Sequence, residues 1–101
     1  MKSNFRVLGA GIWGLAFSDY LIHLGHNVDV FCRDTDLSNK NLKGINLHSL
    51  SSRNIKPLDA LNEYNASDAI NIMAVNSKGF DSVLTKYQDY FKGIKELVSL
   101  T

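Results

Sequence analysis

GAGIWG, at residues 9–14, is the stretch that decides the fold of this chain. It follows a short apolar run at residues 5–8 and leads into residues 12–24, where apolar side chains repeat with helical spacing. A G-x-G-x-x-G pattern between a predicted strand and a predicted helix predicts a turn that binds phosphate. The first glycine permits a tight turn, the second lets the backbone approach a pyrophosphate, and the third lets the helix pack closely on the strand. The three glycines are Gly9, Gly11 and Gly14.

A second strand completes a β-α-β unit around this turn. Gly25 stands just past the predicted helix, where a left-handed cap favours glycine, and residues 28–32 are typical of a strand. One face of the helix is predicted to lie on the sheet. The residues of that predicted face are Trp13, Ala16, Phe17, Tyr20, Leu21 and Leu24.

The rest of the chain continues the alternation of strands and helices. Residues 33–58 are polar, with Gly44 and Pro57 as breakers, and predict loop and irregular structure. The later predicted elements are a short helix at 58–64, a strand at 69–75, a helix capped by Ser77 and ended by Gly93, and a strand at 96–100. This order predicts an α/β fold: a Rossmann-type, doubly wound parallel sheet that is incomplete at its C-terminal edge.

Size and composition narrow the functional classes. A chain of 101 residues with a net charge of +1 predicts one small domain and gives no reason to expect nucleic acid or an acidic membrane as a partner. No apolar run is long enough to span a bilayer, and the one cysteine, Cys32, leaves no internal disulfide, so we expect a cytoplasmic protein. His26 and His48 fit no metal template with Cys32, and we expect no metal site.

The residues that end the second strand bear on the choice of dinucleotide. NAD binders place an acidic residue there for the ribose hydroxyls, whereas NADP binders place an arginine for the additional phosphate. Arg33 follows the strand and Asp34 comes next. A guanidinium suits a phosphate through paired hydrogen bonds, so we predict a preference for NADP, with NAD through Asp34 as the alternative.

Taken together, five stretches resemble the N-terminal domain of NAD(P)-dependent glycerol-3-phosphate dehydrogenase. They are VLGAGIWG at 7–14, GHNVDVFCRD at 25–34, LKGINL with the later residues 54–56, AVNS at 74–77 and LVSLT at 97–101. The tryptophan between the second and third glycines is the most specific of these marks. The resemblance implies that Ile12, Trp13, Arg33 and Asp34 contact the cofactor. It also implies hydride transfer between NAD(P)H and dihydroxyacetone phosphate, which gives sn-glycerol 3-phosphate for phospholipid synthesis.

The chain departs from the pattern of that family in ways that affect function. Ile12 stands where the family usually has a small hydroxyl residue, and Asn76 stands where it has proline. The family also places a substrate-binding lysine after the position of Thr101 and a catalytic lysine in a helical C-terminal domain. We therefore interpret residues 1–101 as a partial NAD(P)-binding domain, without catalytic residues and inactive alone, whose exposed last strand allows self-association.

Two other functional hypotheses remain open from the sequence. The same domain also serves other NADP-dependent reductases, such as those that act on ketoacids or imines, because a fold does not specify a substrate. Alternatively, the chain is a nucleotide-binding remnant that functions without catalysis. The tryptophan at position 13 and the LVSLT stretch favour the dehydrogenase resemblance over the other reductases.

Overall fold

The computed structural model describes residues 2–9, 12–33, 48–75, 77–94 and 97–99. Its strands are β1 (Asn4–Leu8), β2 (Asn27–Cys32), β3 (Ile55–Pro57), β4 (Ile70–Met73) and β5 (Leu97–Ser99). Its α-helices are α1 (Ile12–His23), α2 (Ser77–Lys86) and α3 (Gln88–Phe91). Three short 3₁₀ helices lie at Ser52–Asn54, Leu58–Glu63 and Ala66–Asp68.

The five strands form one parallel sheet in the order β3-β2-β1-β4-β5. The central strand β1 pairs Leu8 with Phe31 of β2 on one side and with Met73 of β4 on the other. The chain thus extends the sheet to one side of β1 with β2 and β3, and then to the other side with β4 and β5. This confirms the predicted α/β, Rossmann-like parallel sheet.

Strand β3 corrects the prediction that residues 33–58 are irregular. Residues 34–47 lie outside the described part of the chain, but Ile55–Pro57 pairs with the last three residues of β2. The strand was missed because it is only three residues long and ends on a proline, which has no N–H to give to a ladder. Proline is tolerated here because β3 borders the described sheet and pairs on one side only.

The helix α1 buries a different face from the one predicted. Trp13 is 81% exposed, Tyr20 56% and Leu24 53%, although the apolar repeat predicts that all three lie against the sheet. Leu21 is buried and Phe17 partly buried, as predicted, but Gly14, Leu15 and Ser18 are buried beside them, so the buried face is rotated away from the predicted one. Apolar side chains surround much of this helix, so periodicity alone does not choose the face. Close packing at Gly14 determines which face of α1 lies against the sheet. Ser18 can be buried on that face because its hydroxyl donates to the Gly14 carbonyl at 2.7 Å.

Each face of the sheet carries its own apolar core, because successive residues of a strand point to opposite faces. On the α1 side, Val7, Val30 and Ile72 pack with the buried residues of α1. On the other side, Leu8 and Phe31 pack under the 3₁₀ helices and under α2 and α3. Both faces are therefore covered, as a parallel sheet requires.

The helices of that second face differ in detail from the prediction. The short helix predicted at 58–64 is a 3₁₀ helix, and the single helix predicted after Ser77 is divided at Tyr87 into α2 and α3. Val83, Tyr87 and Tyr90, which lie in α2, in the break and in α3, are buried against the sheet.

A buried polar cluster ties this second face together. The Arg6 guanidinium donates to the hydroxyl of Tyr90 at 3.1 Å and lies 4.8 Å from the ring centroid of Tyr64. The Tyr90 hydroxyl donates to the side-chain oxygen of Asn71, whose amide nitrogen donates to the carbonyl of Ala66 at 3.0 Å. Burial raises the pKa of Tyr90 even though the nearby Arg6 opposes the shift, so the phenol stays protonated as a donor. Every buried polar side chain of the cluster is thus satisfied.

Strand β5 is the other border of the described sheet and leads to a prediction about self-association. Its three residues are exposed, with Val98 at 47%, and strands at the border of a sheet that carry apolar side chains add further strands readily. We expect concentration-dependent association of this chain in sedimentation velocity runs, and we expect Val98→Lys to abolish it. Leu24→Lys, which charges an equally exposed apolar position on α1, is the matched control. Loss of association in the Leu24 variant alone would place the contact on α1.

Candidate functional site

Gly9 ends β1 with a backbone that only glycine adopts without strain. Its φ is +121°, and its N–H donates to the Phe31 carbonyl at 2.8 Å. A Cβ placed on Gly9 would lie 2.8 Å from the Ala74 carbonyl oxygen and 2.9 Å from Cγ1 of Val75. The turn therefore needs glycine for its conformation and again for the close approach of the chain after β4.

Gly14 brings α1 onto the same turn. A Cβ at Gly14 would lie 2.9 Å from the Cβ of Ala74 and 3.0 Å from the carbonyl oxygen of Gly9. The first turn of α1 therefore sits as close to the ends of β1 and β4 as backbone atoms permit, which is the packing role expected of the third glycine. Gly9, Gly14 and Ala74 form one unit of small residues, which we call the glycine turn.

The glycine turn lies where ligands bind in open parallel sheets. Ala74 follows β4, and its N–H donates to the Leu8 carbonyl at 2.9 Å, so the chain segments leaving β1 and β4 run side by side. The sheet reverses its winding between these two strands. The crevice outside the carboxyl ends at such a reversal is the usual site of a nucleotide.

The start of α1 supplies the electrostatics for an anion. The first N–H groups of an α-helix have no partner within the helix and carry the positive end of its dipole. No aspartate or glutamate occupies the first turn of α1, so no carboxylate there competes for these groups. Trp13 lies in the same turn with its indole exposed. The arrangement can hold a phosphate at the helix start, beside an exposed aromatic surface.

The structure places some of the predicted cofactor residues at this edge and leaves others undescribed. Gly9, Gly14 and Trp13 meet at the turn, and Arg33 is exposed directly after β2, on the same carboxyl edge of the sheet. Ile12 is the first residue of α1. Gly11 and Asp34 lie outside the described residues. Contact of any of these residues with a cofactor stays a prediction.

The remaining polar and potentially reactive residues of β2 and β3 have other roles. The Lys56 ammonium of β3 donates to the Asp29 carboxylate of β2 at 2.7 Å. Cys32 is buried at the end of β2. Within the described ranges, no three residues among histidine, cysteine, aspartate and glutamate gather as metal ligands would. In the same part of the chain, no helix is long and apolar enough to cross a membrane.

Asp19 is a residue whose role the sequence did not reveal. One oxygen of its carboxylate accepts the backbone N–H groups of His48, Ser49 and Leu50, at 3.1, 2.6 and 2.7 Å. Partial burial favours the neutral acid, but the three amide donors and the nearby His48 outweigh it and hold the pKa of Asp19 below its ordinary value. No sequence signal indicated this, because an aspartate in mid-helix is usually only solvated.

The lowered pKa of Asp19 predicts a dependence of stability on acid. At pH 7 we expect Asp19→Ala to lower the free energy of unfolding by about 1 to 2 kcal/mol, as the loss of a carboxylate cap does. The unfolded chain binds this proton at a higher pH than the folded chain. The contribution of Asp19 to the free energy of unfolding is therefore complete above pH 3.8, which is the ordinary pKa of an aspartate. It is lost as the pH falls through the lower pKa that Asp19 has in the folded chain. Urea unfolding between neutral pH and about pH 3 should show parent and variant converging in acid. Asp81→Ala, at an exposed position of α2, is the control and should show no such convergence.

Comparison with protein families agrees with this geometry. The family model described as "NAD-dependent glycerol-3-phosphate dehydrogenase N-terminus" matches residues 4–101. A protein of Francisella tularensis subsp. novicida (strain U112), named glycerol-3-phosphate dehydrogenase (NAD(P)+), is 33% identical over 107 residues. A protein of the same name from Francisella tularensis subsp. tularensis (strain WY96-3418) is 31% identical over 108 residues. Each alignment covers 100% of this chain and 32% of the relative, so the chain spans about a third of their length.

Comparison with solved structures bears on the fold alone. The structure of MT0777 superposes with a TM-score of 0.50 at 10% sequence identity. The match covers 98% of this chain and 86% of that chain. The two chains therefore share a general fold.

Proposed function

The chain belongs to the family of N-terminal, NAD-binding domains of glycerol-3-phosphate dehydrogenases, and we propose that its glycine turn holds the pyrophosphate of a nicotinamide dinucleotide. The observation that carries this proposal is the close packing that Gly9 and Gly14 permit, which brings the start of α1 against the ends of β1 and β4. A Cβ at either position would meet another atom within 3.0 Å, beside a helix start that can donate to phosphate.

We propose that residues at the carboxyl edge of the sheet bind different parts of the dinucleotide. The first N–H groups of α1 would receive the phosphates, with Gly11 allowing the backbone to approach them. Ile12 and Trp13 would contact the cofactor from the first turn of α1. When bound, the nicotinamide supplies or accepts the hydride. The part of this chain is to bind and orient the cofactor at the crevice between β1 and β4.

The cofactor that we propose as preferred is NADP. Arg33 is exposed at the end of β2, where a guanidinium can take the 2′-phosphate of the adenosine half through paired hydrogen bonds. Asp34 would serve the ribose of NAD in the alternative case.

The reaction of the whole protein is a further proposal. We propose reversible hydride transfer between NAD(P)H and dihydroxyacetone phosphate, in the cytoplasm and in support of phospholipid synthesis. In that reaction the substrate pocket and the proton donor lie outside these 101 residues. This chain alone is therefore expected to bind cofactor and to leave the substrate unreduced.

The test of the proposed function is calorimetric titration of the purified chain with NADPH and with NADH. We expect saturable binding of both at one site per chain, with NADPH the tighter. Each cofactor should also raise the melting temperature, by an amount that grows with the logarithm of its concentration above its dissociation constant, because it binds only the folded chain. Absence of binding by a folded chain would refute the proposal, and equal affinities would refute the NADP preference alone.

Gly11→Val is predicted to weaken both dinucleotides strongly. A valine side chain would occupy the space into which the pyrophosphate must come, so the loss should be similar for NADPH and NADH and should exceed about tenfold. Calorimetry measures the affinities, and circular dichroism establishes that the variant is folded. Normal binding by the folded variant would mean that the phosphates bind elsewhere.

A further inference from the structure

One carboxylate fixes the path by which the chain returns to the sheet after β2. Three consecutive amides, those of residues 48–50, converge on a single oxygen of Asp19 in the middle of α1. Hydrogen bonds to a charged acceptor are about twice as strong as neutral ones, and such convergent amides form a natural nest for an anion. Residues 48–50 lead through residues 51–54 into β3. Asp19 therefore anchors the start of this approach to β3.

A continuous series of contacts connects Asp19 and residues 48–50 to the end of β2. The side chain of Leu50 is buried in the core on the α1 side. Asn54 then accepts the N–H of Ser51 at 3.0 Å and donates its own amide to the Val28 carbonyl at 3.1 Å. Strand β3 follows at once and pairs with the last three residues of β2. The path runs from Asp19 through residues 48–54 into β3.

Arg33 directly follows Cys32, the last residue of β2 that pairs with β3. We propose that Asp19 is a positioning residue for Arg33: by anchoring residues 48–50 it keeps β3 on the end of β2, and so holds Arg33 at the carboxyl edge of the sheet. The effect on cofactor choice rests on the proposed function, because it requires a dinucleotide bound at this edge. Asp19 lies at the opposite end of this path from Arg33, and it acts on Arg33 only through β3.

Hydrogen exchange tests the anchoring step without any cofactor. In Asp19→Asn, which keeps the shape and removes the charge, amides 48–50 and the paired ends of β2 and β3 should exchange about threefold to thirtyfold faster than in the parent, as for a modest local destabilisation. Amides of β4, on the other side of β1, should keep their protection. Unchanged exchange at the ends of β2 and β3 overturns the proposal, and so does a uniform increase over the whole sheet.

Calorimetry of the same variants tests the consequence for the cofactor. We expect Asp19→Asn and Asp19→Ala to weaken NADPH by about threefold to tenfold while NADH changes less than about twofold. Asp81→Asn, an exposed carboxylate of α2, is the matched control and should leave both affinities unchanged. Equal losses for the two dinucleotides indicate a merely structural role and overturn the proposal. A folded parent chain that binds neither cofactor refutes the proposed function, whereas the exchange data still decide whether Asp19 positions Arg33.

Discussion

Gly9→Ala is expected to lower the free energy of unfolding by roughly 2 to 6 kcal/mol, combining backbone strain with overpacking. At a φ of +121° an alanine is strained, and its Cβ would lie 2.8 Å from the carbonyl oxygen of Ala74. That neighbour is backbone in the paired end of β4, so it cannot move aside as a flexible side chain would. Because total stability is commonly about 5 to 15 kcal/mol, the variant should be marginal or unfolded.

Gly25→Ala separates the two causes of this loss. Gly25 also has a positive φ, +97°, at the end of α1, but nothing lies within 4 Å of a Cβ built there. Its substitution should cost only the backbone strain, about 1 to 3 kcal/mol. Urea unfolding of both variants, followed by circular dichroism, measures the difference. Equal costs at the two positions would show that the contact with Ala74 is unimportant.

Arg33→Ala is expected to remove most of the preference for NADPH over NADH. A charge-assisted, paired hydrogen bond to phosphate at a partly exposed site is worth on the order of 1.5 to 3 kcal/mol, which corresponds to roughly ten- to more than a hundredfold in the NADPH dissociation constant. The affinity for NADH should change little, since it has no phosphate at that position. Calorimetric titration with the two cofactors measures both effects.

Arg53→Ala provides the matched control for Arg33. Arg53 is also an exposed arginine, on a 3₁₀ helix that precedes the amino end of β3, away from the carboxyl edge. Its removal lowers the net charge of the chain equally and should leave the ratio of the two affinities unchanged. If both variants reduce NADPH binding alike, the effect is one of overall charge, and Arg33 has no specific role in choosing NADP.

The parts of the fold that the sequence predicted correctly are those with strong local signals. A glycine directly after an apolar strand, or just past the last apolar residue of a helix, indicates a sharp turn, and Gly9 and Gly25 both adopt a positive φ. The buried strands β2 and β4 were recognisable as apolar runs of strand length. Strand β3 had no such signal, because its position depends on pairing with β2 and not on its own polar, proline-ended sequence.

The errors came from contacts between residues that are distant in the chain. The apolar repeat of α1 predicted only part of the buried face, because Gly14 must meet Ala74, which follows the later strand β4, and this contact turns Trp13 into solvent. The role of Asp19 likewise depends on backbone amides that only the folded chain brings to it. For the candidate site, the glycine pattern located the turn, whereas the neighbours that make glycine necessary there became visible only in three dimensions.

The strand order also has a consequence for the chain as it leaves the ribosome. Strands β1, β2 and β3 and helix α1 are complete once Pro57 has been synthesised, but β4 and the helices that cover the second face come later. Until they emerge, Leu8 and Phe31, which are fully buried in the finished fold, have no cover. A nascent chain paused just after Pro57 would therefore present an apolar surface, and we expect it to be a client of ribosome-associated chaperones during that interval.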